Sequence, residues 1–450
     1  MSLQSRITVL LGAGAVLELT PKGITLPTTA NITSQIMKDD LDCVEINPMR
    51  QFKSNLLVRI YGHLCNHHYP EILNPKEEKS LGKVNFELLM HVLELLFSYR
   101  YIWRGDRSPI DPCFSSFICP VREFDFVNGE LYAASEYLIE TIYKMVMAYD
   151  IPFMEERNAW YIDFWKGNAK GWDVFNLNYD TTVEQSIELY EDGYEAVRGE
   201  EHFQRFNVRR LLENQRELST INHLHGCISY GMSRYKDINH DAYEFDFYDM
   251  YKWESPMSAY NIFKSSSTSN DVAQNGQTIF QGPIITGLSK TDEVVCLPYD
   301  AYRTNFMNST CRNRGLLIAG YSFSDKYVNH IINRMSQLHG INKRVVLIDY
   351  WNLKSYIAEY SDGECGEKYN DDYLSASIFE NLFEHKLGKN EMLLFIKRRV
   401  HHDTDVWRHF NRLSMSKPMI SDNGQFMLCI GGMKNTLVNH ADEIMSFLSE

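Results

Sequence analysis

Five short stretches place glycine, carboxamide, carboxylate, imidazole or hydroxyl groups where buried strands would end. They are Gly12-Ala13-Gly14, Asn176-Leu177-Asn178-Tyr179-Asp180, His223-Leu224-His225-Gly226, Gly320-Tyr321-Ser322-Phe323-Ser324-Asp325, and Asp349. Gly12 and Gly14 lack a β-carbon, so the backbone can turn tightly and bring its N–H groups up to a pyrophosphate. The stretch is neither common phosphate loop. Leu17 stands where a dinucleotide fingerprint needs its third glycine, and no Gly-Lys-Ser/Thr follows. A plain strand-to-helix turn would use the same residues. Asn178 can hold ribose hydroxyls or a water and Asp180 can accept from an amide, or the pair can form an Asx turn capping the next helix. His225 beside a glycine can act as general base, contact a ribose hydroxyl, or be a satisfied structural histidine. His223 and His225 point to opposite sides of a strand end, with no neighbouring ligands spaced for zinc, so no metal is expected. Gly320 and Ser322 can face phosphate or ribose, or the segment can cap a helix. Asp349 can meet a ribose or adenine edge, or simply turn the chain.

Parallel strands are the elements that would position these groups. The run at 6–11 is short, β-branched and ended by glycine; 171–180, 219–226, 282–287, 311–325 and 343–350, the last a β-branched run ending on Asp349, read as further strands with their loops, and helix starts follow at 28–41 and 181–190. This succession predicts an α/β fold: a Rossmann-like, doubly wound parallel sheet, with ligands at the carboxyl ends of its strands. The sheet core would comprise residues 1–42 and 170–355. Residues 43–169 read as a large helical insertion, with amphipathic runs at 85–103 and 129–149, and 356–450 as a mixed C-terminal extension. Within that extension a helix at 372–385 and strands at 391–397 and 425–432 are expected. The polar stretch 264–277 reads as a linker or mobile loop.

The 450 residues can bury a sizeable core, and 44% apolar with 23% charged residues is ordinary globular composition. A net charge of −14 argues against a broad nucleic-acid footprint, and the basic run 395–402 reads as a solvated helix end. The nine cysteines include no CxxC pair, which suits a reducing compartment better than a disulfide framework. No apolar run reaches the roughly 18 residues of a membrane helix, and the apolar stretch before Gly12 is too short for a signal peptide. A cytoplasmic protein without membrane contact is expected.

In this order, "LLGAGA", "GITLP" (23–27), "NFELL", "FNLNYD", "HLHG", "AGYSFSD" and "VVLID" resemble the sirtuin-like NAD-binding fold, and within it the bacterial sirtuin-like proteins of anti-phage defence more than the protein deacylases. The resemblance implies that Gly12, Ala13 and Gly14 contact the NAD pyrophosphate, with Pro27 among the cofactor contacts. It places Asn178 and Asp180 at the nicotinamide ribose and carboxamide, His225 as catalytic base, Gly320 and Ser322 at the adenosine ribose and phosphates, and Asp349 near the adenosine. It implies NAD as substrate, cleaved at the nicotinamide–ribose bond. It further implies an effector that depletes host NAD, a homo-oligomer, and an ATPase or other defence-system partner. Two departures stand out. Val16 occupies a position where the family usually has Ser or Thr, and no four-cysteine zinc ribbon follows "HLHG", which disfavours deacylation. A non-catalytic NAD- or ADP-ribose-binding sensor or scaffold is the alternative.

Overall fold

The computed structural model describes residues 6–38, 42–47, 50–69, 72, 81, 83–98, 128–168, 171–199, 201–213, 218–236, 243–266, 284–285, 297–350, 417–420 and 424–450. Its strands in chain order are β1 (Ile7–Leu11), β2 (Asp42–Asn47), β3 (Arg50–Ser54), β4 (Asp173–Asn176), β5 (Tyr190–Glu191), β6 (Tyr194–Ala196), β7 (Phe203–Phe206), β8 (Ser219–His223), β9 (Tyr230–Lys236), β10 (Tyr243–Trp253), β11 (Gly315–Ala319), β12 (Arg344–Ile348), β13 (Met419–Ile420) and β14 (Phe426–Cys429). The helices are α1 (Thr29–Ile36), α2 (Leu56–His63), α3 (Phe86–Ser98), α4 (Asn128–Asp150), α5 (Ala159–Asn168), α6 (Thr182–Ser186), α7 (Val208–Leu212), α8 (Pro256–Ser266), α9 (Tyr299–Arg312), α10 (Lys326–His339) and α11 (Met433–Ser449).

Every residue of β1 is buried, so both faces of the strand must be covered. Alternate side chains go to two separate cores: Ile7, Val9 and Leu11 to one, Leu10 to the other. β11 and β12 divide in the same way, with Leu317, Ala319, Val346 and Ile348 on the first face and Leu316, Ile318, Val345 and Leu347 on the second. Helices α1 to α5 and α11 contribute to the first core, α9 and α10 to the second. Each fully buried leucine or isoleucine contributes about 1.5–3 kcal/mol, so strands with no wet face must be apolar throughout.

The main sheet has the order β13-β14-β12-β11-β1-β4-β8-β5. All neighbours run parallel except β13, which is antiparallel to β14. This is the expected Rossmann-like α/β arrangement. From β1 the chain moves to β4 and β8 on one side and to β11 and β12 on the other, so the strand order reverses at β1. Leu11 lies opposite Ala319 of β11 and opposite Asn176 of β4, which aligns the turns that follow all three strands.

The architecture departs from the sequence expectation in four places. Of the strand expected at 282–287 only 284–285 are described, and there Ile284 makes an isolated bridge to Gly226 in place of a strand pairing. The stretch after β8 contains the hairpin β9–β10, which joins β7 and β6 in a second, antiparallel sheet. Tyr243, Phe245 and Phe247 alternate with Glu244 and Asp246 there, a strand pattern the sequence expectation did not use. The C-terminal residues do not stand apart from the sheet, because β14 pairs with β12 and α11 packs on the first core. Finally, the insertion opens with the hairpin β2–β3, and its helices share that same core. The expected features at 267–277, 372–385, 391–397 and 395–402 lie outside the described residues. No described helix is long and apolar enough to cross a membrane.

Candidate functional site

At the β1/β11 seam the two following turns touch backbone to backbone. Gly320 has φ +60, a left-handed conformation that disfavours side chains. A β-carbon there would stand 2.1 Å from Ala15 N and 2.2 Å from Gly14 C. One on Gly12 would meet Gly320 O at 2.6 Å. The glycines therefore allow two turns to share one space. The same packing corrects the picture of outward-facing amides: Gly12 N–H donates to Ala319 O at 2.9 Å and Gly14 N–H to Gly320 O at 2.8 Å. Those two donors hold the seam and are not aimed at a ligand.

Beside the seam lies a cleft of about 240 Å³, lined by Gly12, Ala13, Gly14, Pro27, Asn178, His225, Gly320 and Ser322 among others. Eight of the residues singled out in the sequence thus meet at one place, from five separate stretches of the chain. The cleft also includes Phe86 and Glu87 from α3, and Val146 and Tyr149 from α4, so the insertion supplies one wall.

Asn178 reaches back across the seam. Its Nδ2 donates to Gly12 O at 3.0 Å, and its backbone N–H donates to Asn176 Oδ1 at 2.9 Å. The second bond closes an Asx turn that orients Asn178 towards the cleft; the helix-capping turn considered in the sequence is made by Asp180, which accepts from Thr182 N–H. His225 is held by its backbone, whose carbonyl accepts from Ile285 N–H at 2.8 Å. Its Nε2 lies 2.9 Å from Asp325 Oδ2, with both side chains about one-tenth exposed. An ionised carboxylate only accepts, so Nε2 carries the hydrogen and the neutral ring has its lone pair on Nδ1.

Asp325, which also lines the cleft, was not among the sequence-selected site residues. It looked like a helix cap, and it is one: Oδ1 accepts from the N–H groups of Tyr327 at 2.8 Å and Val328 at 3.0 Å at the start of α10. Its other oxygen is what binds His225. The Tyr321 hydroxyl accepts from Asp325 N–H at 3.2 Å and donates to Asn329 Oδ1 at 3.1 Å. Phe323 between them has φ +57, and Asn329 Nδ2 donates to its carbonyl at 2.7 Å. A left-handed phenylalanine costs about 1–2 kcal/mol, and the loop holds that conformation through these bonds.

Two expected residues stand away from the cleft lining. The Asp180 side chain is fully buried; its carboxylate accepts from Thr182 N–H at 3.1 Å and from the Tyr149 hydroxyl at 3.0 Å. It caps α6 and reaches the cleft only through Tyr149, whose phenol is held well above its usual range by burial and the Asp180 charge. Burial likewise raises Asp180 above an ordinary carboxylate. Nearby Asp150, which accepts from Thr181 N–H at 2.6 Å, is pushed up to about 7 by burial and by Asp180. Asp349 lies at the end of β12, where its N–H donates to Cys429 O at 2.9 Å and its carbonyl accepts from Gly432 N–H at 3.0 Å. Tertiary pairing with β14, outside the expected sheet core, draws it to that side. Val16 is 2% exposed, belongs to the first core and forms part of the cleft floor.

Behind the cleft, His223 has two further ligand-type side chains beside it. Glu184 and Cys227 join it in a buried group whose ligand-type atoms lie within 4.8 Å of one another. Glu184 is remote in sequence, and Cys227 has no cysteine partner at metal spacing, so neither gave a signal.

A parallel α/β sheet with a glycine-lined cleft at its switch point, furnished with a carboxamide and an imidazole–carboxylate pair, is a doubly wound architecture with polar groups where such sheets place their ligands. Residues 173–374 match the family described as a SIR2-like domain. SIR2-like domains use NAD. The match begins at β4, so Gly12–Gly14 lie outside it and join the site through the sheet. No curated protein matches the chain.

Proposed function

We propose that the chain hydrolyses NAD, releasing nicotinamide and ADP-ribose. One observation carries the reading: Asn178 and the His225–Asp325 pair line the same cleft as the Gly12–Gly14 and Gly320 turns. The bond from nicotinamide N1 to ribose C1′ breaks, and its electron pair stays with the departing nicotinamide. Positive charge develops on the ribose, a water oxygen bonds to C1′, and the water's proton passes to His225 Nδ1. Asp325 then faces an imidazolium and stabilises it. Asn178 orients the ribose hydroxyls or the water. Because nicotinamide leaves from a cationic ring, positioning and electrostatics supply most of the acceleration. Pro27, Gly320 and Ser322 would contact the rest of the dinucleotide, with Asp180 acting through Tyr149. An anti-phage effector role, a homo-oligomer and an ATPase or other partner belong to the same proposal and rest on the resemblance.

The purified full-length protein incubated with NAD should release nicotinamide and ADP-ribose in equal amounts. His225→Ala and Asn178→Ala should each lose at least about 100-fold. Binding of NAD or ADP-ribose without turnover, in the presence of the activating partner or trigger, would overturn hydrolysis in favour of a sensor or scaffold. The apolar Val16 in the cleft floor is the observation on that side.

A further inference from the structure

Glu184 on α6, His223 at the end of β8 and Cys227 in the turn beyond it do not line the cleft. Their side chains are 7%, 1% and 0% exposed. His223 Nε2 lies 2.5 Å from Glu184 Oε1, and Cys227 Sγ lies 3.1 Å from Ser229 Oγ. Glu184 Oε2 is buried without a hydrogen-bond partner among the described residues. A buried carboxylate oxygen lacking a donor is costly and invites a cation. Lys252, whose field reaches Glu184 more weakly than that of His223, is committed to Asp192 Oδ2 at 2.6 Å and to the Tyr190 hydroxyl at 3.1 Å.

The donor set is a thiol sulfur, an imidazole nitrogen and a carboxylate oxygen, the mixture that suits zinc. Thiolate and carboxylate together carry two negative charges, so a divalent cation with a neutral imidazole leaves the buried group neutral. Histidines that ligate metals commonly donate their other ring N–H to a carbonyl, and His223 Nδ1 faces Asn178 O at 3.4 Å.

We propose that Glu184, His223 and Cys227 form a structural site for a divalent cation of zinc-like chemistry, joining α6 to the end of β8. Binding forms one bond each to sulfur, nitrogen and oxygen, and the protons displaced from the thiol and from the His223–Glu184 contact go to solvent; nothing is oxidised or reduced. Tetrahedral zinc holds its ligand atoms roughly 3.3–3.8 Å apart, so His223 and Glu184 separate by about 1 Å on loading. The ion fixes the strand end that carries His225 and the carbonyl of Asn178. This site stands independently of the NAD reading.

The test uses the full chain, stripped with a chelator and then dialysed against zinc or cobalt ions. About one zinc per chain should be retained, and the cobalt form should show thiolate-to-metal charge-transfer absorption. Both should vanish in Cys227→Ala and persist in Cys311→Ser, which removes an exposed thiol. Glu184→Gln should weaken zinc binding tenfold or more. Zinc retained equally by Cys227→Ala, or a wild-type cobalt spectrum without thiolate absorption, would overturn the site. Should Cys227→Ala fail to fold, the wild-type cobalt spectrum decides alone.

Discussion

Replacing Asp325 by asparagine separates its two roles. The cap on α10 uses Oδ1 and the contact to His225 uses Oδ2. Asparagine retains a cap oxygen and is about as good an N-cap as aspartate, so Asp325→Asn should unfold within about 0.5 kcal/mol of wild type. Alanine removes the cap too and should lose about 1 kcal/mol. At His225 the change replaces a charge-assisted bond at 2.9 Å, between groups about one-tenth exposed, with a neutral amide that presents its own hydrogens. A bond of that kind is worth about 1.5–3 kcal/mol, which corresponds to roughly 10- to 150-fold in rate when it stabilises the imidazolium formed during reaction. Nicotinamide release at saturating and at low NAD, alongside denaturant unfolding, measures both quantities. The expected pattern is near-native stability with a reduced kcat. Wild-type turnover by Asp325→Asn refutes the dyad. An equal loss of stability in the asparagine and alanine variants refutes the division of labour between the two oxygens.

Gly320→Ala should be among the most damaging single changes on the seam. The left-handed backbone and the 2.1 Å overlap with Ala15 N together should cost at least about 3 kcal/mol in denaturant unfolding. A loss below about 1 kcal/mol would show that the two turns can part freely. Asp150 gives a pH signature. With its carboxyl pushed up to about 7 by burial and Asp180, the folded state holds a proton that the unfolded chain has released above about pH 4. Stability should therefore fall as pH rises between these values and level off above about 7, by an amount of order 4 kcal/mol at most. Asp150→Asn should flatten that slope, and an unchanged difference between variant and wild type from about pH 5 to about pH 8 would refute it.

Much of the fold was legible because its signals are local. A β-branched run ended by glycine marks a strand whether or not its neighbours are known, and Thr28 and Asn85 cap α1 and α3 as their positions suggest. The helix-capping Asx turn was equally readable, and Asp180 makes it. The joining of β10 to β7 and the place of β14 beside β12 were not, since pairing partners far along the chain decide them. Asp180 and Asp325 show the limit at the site. Both begin helices, and sequence alone offered no means of telling which carboxylate faces the cleft.

The sequence by itself determined that this chain would form a parallel sheet with polar groups gathered at its strand ends, because period and turn chemistry lie within a few residues. Only the tertiary structure decided which of those groups meet. His225 and Asp325 are separated by 100 positions, and they join because the turns after the parallel strands β8 and β11 emerge on one edge of the sheet, across β1 and β4. The same geometry drew Asp349 towards β14, turned the Gly12 and Gly14 amides into the seam, and brought Glu184 and Cys227 around His223. Strand order is fixed by how two apolar faces are covered across the whole sheet, and no short stretch of residues contains that information.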